Sequence, residues 1–218
     1  MSMNKKIGIL GGIGPESSAL FYTKLIELVQ SQGLIKTNID YPYIVIESIP
    51  GPELFLEEPN LTLYKQGVKN LEKVEVDFIV MICNTLHLFW QEMQDCVKVP
   101  ILNMPEEVEK YLIKKGVKSV LPLGSSSTMR DLFKFKNIKV EKIDESDVLK
   151  IDRIIEAYIQ GKDKDLVVGE FLAIVNKYED HNLLMACTEL STMAKRLGLK
   201  HFDTMDVMLD VTFDRWYN

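Results

Sequence analysis

Cysteine is scarce in this chain, with three in 218 residues. So small and odd a count excludes a disulfide framework and points to a reducing, cytoplasmic setting, where each thiol serves packing or chemistry. Histidine is as rare, also at three, and no Cys-x-x-Cys pair occurs. The one spacing suggestive of a metal site is Cys83 and His87, four apart, and no metal is expected. Long apolar runs are missing: no stretch approaches the ~20 residues of a membrane span, so no membrane contact is expected. Met1–Leu10 holds a four-residue apolar run, too short for the core of a signal peptide. Positive charge is not in excess either, with 26 Lys+Arg against 32 Asp+Glu and a net charge of −6. Basic residues gather only in pairs such as Lys114-Lys115, so nucleic acid is not an expected partner.

What remains is the composition of a globular protein, 46% hydrophobic and 27% charged, long enough for one or two domains at ~150 residues each. Five short apolar runs, Ile7–Leu10, Tyr43–Ile46, Phe78–Ile82, Ser119–Leu123 and Leu183–Ala186, are rich in β-branched residues and unbroken. That is how strands buried on both faces read. Amphipathic stretches at Ala19–Val29, Leu61–Val74, Pro105–Lys115, Val148–Gln160, Leu166–Tyr178 and Met205–Trp216 lie between or beyond them. Strands alternating with helices predict an α/β fold built on parallel sheets.

The chain also repeats itself. Leu10-Gly11-Gly12-Ile13-Gly14-Pro15 and Leu123-Gly124-Ser125-Ser126-Ser127-Thr128 each read as a strand, a turn and the start of a helix. A second strand ending in cysteine follows each, with Cys83 and Cys187 lying 72 and 63 residues beyond Gly11 and Gly124. Two similar α/β halves are therefore expected, each a mainly parallel sheet flanked by helices, joined near Pro100–Pro105.

Cys83 and Cys187 stand where parallel sheets bind ligands, beyond the carboxyl ends of strands and ahead of helices. A helix N-terminus there favours thiolate; the plainer reading of a free cysteine is a small buried hydrophobe. Cys96, in Gln94-Asp95-Cys96-Val97, has neither feature and is taken as a bystander. Gly12-Ile13-Gly14 begins the G-x-G of a dinucleotide fingerprint, but Pro15 interrupts it and Ser17 stands in place of the third glycine. It reads better as a tight turn whose amides, around Ile13, face an anion, with Pro15 opening the helix. Ser125-Ser126-Ser127-Thr128 either caps a helix through Ser126 or Ser127 or lends hydroxyls to a pocket for a small carboxylate.

These residues resemble the aspartate/glutamate racemase family, the cofactor-independent two-cysteine amino-acid racemases. Ile9-Leu10-Gly11-Gly12-Ile13-Gly14-Pro15-Glu16-Ser17-Ser18, Cys83-Asn84-Thr85-Leu86-His87 and Cys187-Thr188-Glu189-Leu190 carry the likeness, with a weaker match at Leu123–Met129. The Cys-Thr-Glu-Leu ending is similar to the aspartate branch; glutamate racemases have Cys-Thr-His there.

The resemblance implies two α/β halves in pseudo-two-fold relation. The first is residues 1–99 with a C-terminal helix, 206–218, packed back on it; the second is 100–205. It further implies an active site between the halves, a homodimer, and racemisation of aspartate or glutamate without a cofactor. One cysteine removes the α-proton as thiolate and the other returns a proton to the opposite face as thiol. Asn84, Thr85, Ser125, Thr128 and Thr188 would hold the substrate carboxylate and stabilise developing charge. Glu189 would orient the substrate ammonium or cap a helix. The family's Arg after the second strand is absent, since this chain reads Ser48-Ile49-Pro50-Gly51-Pro52-Glu53. Lys162 or Lys164 is then the expected grip on a side-chain carboxylate. Two other readings fit the same residues: a related isomerase or lyase acting on a small dicarboxylate, and a non-catalytic protein that binds small carboxylates.

Overall fold

A computed structural model of the chain describes residues 5–52, 54 and 59–218; Glu53 lies outside them. The fold is α/β, with two compact units, one comprising residues 1–103 and 208–218, the other 104–207.

In the first unit β1 (Ile7–Gly11) lies between β2 (Ile44–Ser48) and β3 (Phe78–Met81), all parallel. The helices are α1 (Pro15–Ser31), α2 (Thr62–Lys73) and the short α3 (Trp90–Gln94). Every residue of β1 and β3 is buried, as their unbroken apolar runs predict. The expectation fails for β2. It is an edge strand whose residues are half-buried or exposed, because one flank meets no neighbouring strand among the described residues. Pro100–Asn103 stays with this unit because Ile79 bonds both Pro100 O and the Leu102 N–H, at 2.9 Å each. This moves the joins to 103/104 and 207/208, in place of 99/100 and 205/206.

The second unit repeats the plan. After α4 (Met104–Lys114), β4 (Ser119–Leu123) lies between β5 (Lys139–Val140) and β6 (Leu183–Met185), and β7 (Phe202–Asp203) extends the parallel sheet beyond β6. The helices are α5 (Glu145–Ile159), α6 (Lys164–Val175), α7 (Thr188–Arg196) and α8 (Thr204–Tyr217), within which the unit boundary falls. The two-residue strands β5 and β7 are too short to show a pattern in sequence, and the helix expected over Leu166–Tyr178 ends at Val175 in a 3-10 turn.

Each unit has its own core. Tyr64, Gly67, Val68 and Leu71 form the buried stripe of α2 and pack with Leu10, Ile79 and Met81. In the second unit Ile151, Ile154 and Ile155 of α5 join Phe171, Leu121 and Met185. An acid, Asp147, occupies a stripe position of α5. Lys150 and Lys177 at 2.8 Å and Tyr178 at 3.1 Å hold it ionised, lowering its pKa to about 2.

Candidate active site

Register decides what comes together within each unit. Leu10 is paired with Met81, so Gly11–Gly14 and Ile82–Thr85 leave the sheet side by side. The Ile82 N–H donates to Leu10 O at 3.0 Å and ties the two exits. In the second unit Leu123 is paired with Met185, and the Ala186 N–H donates to Leu123 O at 2.7 Å, so Gly124–Thr128 and Ala186–Glu189 leave together. Cys83 and Cys187 are each the second residue past the end of such a strand, in sheets of like order.

At the first exit Gly12 has φ +85°, and a Cβ there would meet Ile49 N at 2.5 Å. The residue must therefore be glycine. The Gly12 N–H is taken by Ser18 Oγ at 3.0 Å, and Ile13 and Cys83 are each partly buried against the core of this unit. Pro15 opens α1 as expected. No α-helix follows Cys83 directly: Thr85–Phe89 is a 3-10 turn, leading into the five-residue α3. The helix-terminus field expected at this thiol is correspondingly slight.

Asn84, Thr85 and His87 are buried, and Cys83 is half-buried. Asn84 Oδ1 and His87 Nδ1 have no hydrogen-bond partner among the described residues. His87 Nε2 lies 3.4 Å from Met81 O, and burial lowers the ring's pKa to about 4, so it is a neutral imidazole. Tyr64, whose hydroxyl donates to Pro52 O, is held above the ordinary phenol range by burial first and by the nearby Cys83 second.

At the second exit, of the two readings of Ser125–Thr128, capping by the Ser127 side chain is not seen, since it makes no cap bond. Ser126 and Ser127 lie inside the helical turn, and Ser125 receives the Thr128 N–H at 3.4 Å and donates to Thr128 Oγ1 at 2.9 Å. The Ser126 N–H is held by Asp152 of α5 at 2.9 Å. Ser125, Thr128 and Thr188 are all buried.

Cys187 is the N-cap residue of α7, as its position predicts, yet its pKa moves opposite to the expectation. Burial raises the thiol most and the Glu189 charge raises it further, against smaller lowering by the Leu190 and Glu189 amides. Desolvation and a carboxylate outweigh the helix dipole.

Lys162 is exposed in the loop between α5 and α6. Lys164 lies 4.9 Å from the centre of the Tyr158 ring, a cation–π contact that leaves Lys162 the freer of the two candidates. The Cys96 thiol donates to Glu92 O at 3.1 Å. Tyr64 and Asp152 escaped the sequence reading because each stands in a helical pattern where core or solvent is the ordinary role.

Residues 10–212 match the model of the Asp/Glu/Hydantoin racemase family. The chain belongs to that family. It is 36% identical over 138 residues to the broad specificity amino-acid racemase RacX of Bacillus subtilis (strain 168), a match over 61% of this chain and 60% of that one. Among solved structures it is similar to an aspartate racemase homologue from Pyrococcus horikoshii OT3, with TM-score 0.77 and 25% identity over 98% of this chain and 100% of that one. The aspartate racemase of Picrophilus torridus gives TM-score 0.75 and 25% identity, over 96% and 93%.

Proposed function

We propose that this chain is an amino-acid racemase working without a cofactor, with aspartate or glutamate as its substrate. Cys83 of the first unit and Cys187 of the second act on the same α-carbon from opposite faces. The observation that carries the reading is their matched placement, two residues past equivalent strand ends, beside buried polar groups. Racemisation needs such a pair, because a proton must leave one face and another arrive at the other.

The amide of Ile13 and the side chains of Asn84, Thr85, Ser125, Thr128 and Thr188 would hold the substrate's α-carboxylate and ammonium. Asn84 Oδ1, buried and unpartnered among the described residues, suits the ammonium, since an unsatisfied buried acceptor costs about 1–3 kcal/mol that a donor recovers. With no Arg in Ser48–Glu53, the side-chain carboxylate falls to Lys162.

Single enantiomers of aspartate, glutamate and alanine incubated in deuterated water test the reading. Deuterium at Cα together with loss of optical rotation is expected for aspartate or glutamate. Loss of carbon dioxide or ammonia from the substrate would indicate a lyase, and binding without exchange a non-catalytic protein. Cys83→Ser and Cys187→Ser should each abolish racemisation with the fold intact, and Cys96→Ser should be silent; full activity in either of the first two refutes the assignment. Lys162→Met should lower aspartate turnover about ten- to hundredfold and leave alanine unaffected. Equal losses on both amino acids would remove Lys162 from the substrate's side chain.

A further inference from the structure

The two thiols have different companions. Two residues past Cys83 stands Thr85, whereas two past Cys187 stands Glu189. The Glu189 side chain is buried, and its Oε2 accepts from Cys187 Sγ at 3.0 Å and from Thr188 Oγ1 at 3.1 Å. A carboxylate accepts from sulfur only while the sulfur keeps its proton. As a thiolate, Cys187 would put two anions 3.0 Å apart in a desolvated place.

We propose that Glu189 is a positioning residue that keeps Cys187 protonated in the resting protein, making Cys187 the acid and Cys83 the base of the first proton transfer. The inference rests on the two-cysteine reading above and adds which thiol holds the proton. In that step Cys83 Sγ takes the α-proton, and the electron pair of the broken C–H bond stays on Cα, delocalised into the α-carboxylate. The Cys187 S–H bond then breaks, its proton bonding to Cα on the other face and its electron pair staying on sulfur. The protein is left with Cys83 as thiol and Cys187 as thiolate beside Glu189. Repulsion from that carboxylate drives the reset, in which Cys187 takes a proton from water and Cys83 releases one.

Charged groups on the elements around Cys187 have partners of their own. On α5, Asp147 is paired with Lys150 and Lys177, and Asp152 accepts the Ser126 N–H. Asp203, at the end of β7, accepts from Ser191 Oγ at 2.5 Å and lies 3.1 Å from Lys195 and 3.5 Å from His201. Arg196, at the far end of α7, is paired with Asp165. Glu189 is thus the carboxylate that bears on this thiol.

The two enantiomers have equal energy, so kcat/KM is the same in both directions whatever Glu189 does. The effect must therefore be read on the thiols themselves. Full-length protein is alkylated with iodoacetamide across pH, and the rate at each cysteine is followed by peptide mapping. In the wild type Cys83 is expected to react first at neutral pH and Cys187 only at higher pH. Glu189→Gln should raise the Cys187 rate at pH 7 about tenfold or more and lower its midpoint by about a unit or more, with Cys83 unchanged. Glu189→Asp, which keeps the charge, should restore wild-type behaviour. An unmoved Cys187 midpoint in folded Glu189→Gln overturns the proposal. So does a wild type in which Cys187 reacts before Cys83, a result that needs no variant to fold. Deuterium exchange into amino acids reports separately on the racemase reading, so either idea can fail alone.

Discussion

His87 shows how burial writes a pH dependence into one side chain. Its ring is buried and unpartnered at Nδ1 among the described residues, and its pKa falls from 6.5 to about 4. The unfolded chain therefore binds a proton below 6.5 that the folded one refuses. The stability at stake is fully present above that pH and drains away as pH falls toward 4, by on the order of 3 kcal/mol. Denaturation measured across this window should show the loss, and His87→Phe should flatten it whatever the variant does to absolute stability. His201 behaves oppositely. Burial lowers its pKa, but Asp203 and Leu199 O outweigh burial and leave the pKa raised, so its contribution is present at low pH and lost as pH rises through the folded value. Comparing His87→Phe with the wild type separates the two.

Among the elements, the tightest demand is where paired strands release their functional segments. A Cβ on Gly124 would stand 2.6 Å from Ala186 O, a backbone atom that cannot move without shifting the residue before Cys187. Gly124→Ala should destabilise by about 1–3 kcal/mol in denaturant titration and slow turnover as well. Gly12→Ala adds a positive φ to its clash with Ile49 and should be the more damaging of the two. Helix α1 has no side-chain cap and starts on Pro15, leaving the first turn shaped by the glycines ahead of it.

For the whole molecule, the last eleven residues matter more than their place suggests. Residues 208–218 group with the first unit, and Met208, Leu209 and Trp216 among them are buried. Burying each is worth about 1.5–3 kcal/mol, a total comparable to the stability of a domain. A chain ending at Val207 should lose the protease resistance of residues 5–103, while Ile151, Phe171 and the other core residues of the second unit keep theirs. Equal resistance of both units in the truncated protein would refute this.

Sequence alone determined the α/β class, the five longer strands and the matched positions of Cys83 and Cys187, because each rests on local pattern. Unbroken β-branched runs have little else to form, and a repeated strand-turn-cysteine order survives without knowledge of packing. Tertiary structure decided the rest. It made β2 an edge, since pairing depends on which strands meet, and it formed β5 and β7, whose two residues carry no period. It also reversed the expectation for Cys187. A helix start is visible in the sequence, but desolvation depends on what surrounds the sulfur, and the Glu189 carboxylate reaches it only after the chain has turned from β6 into α7.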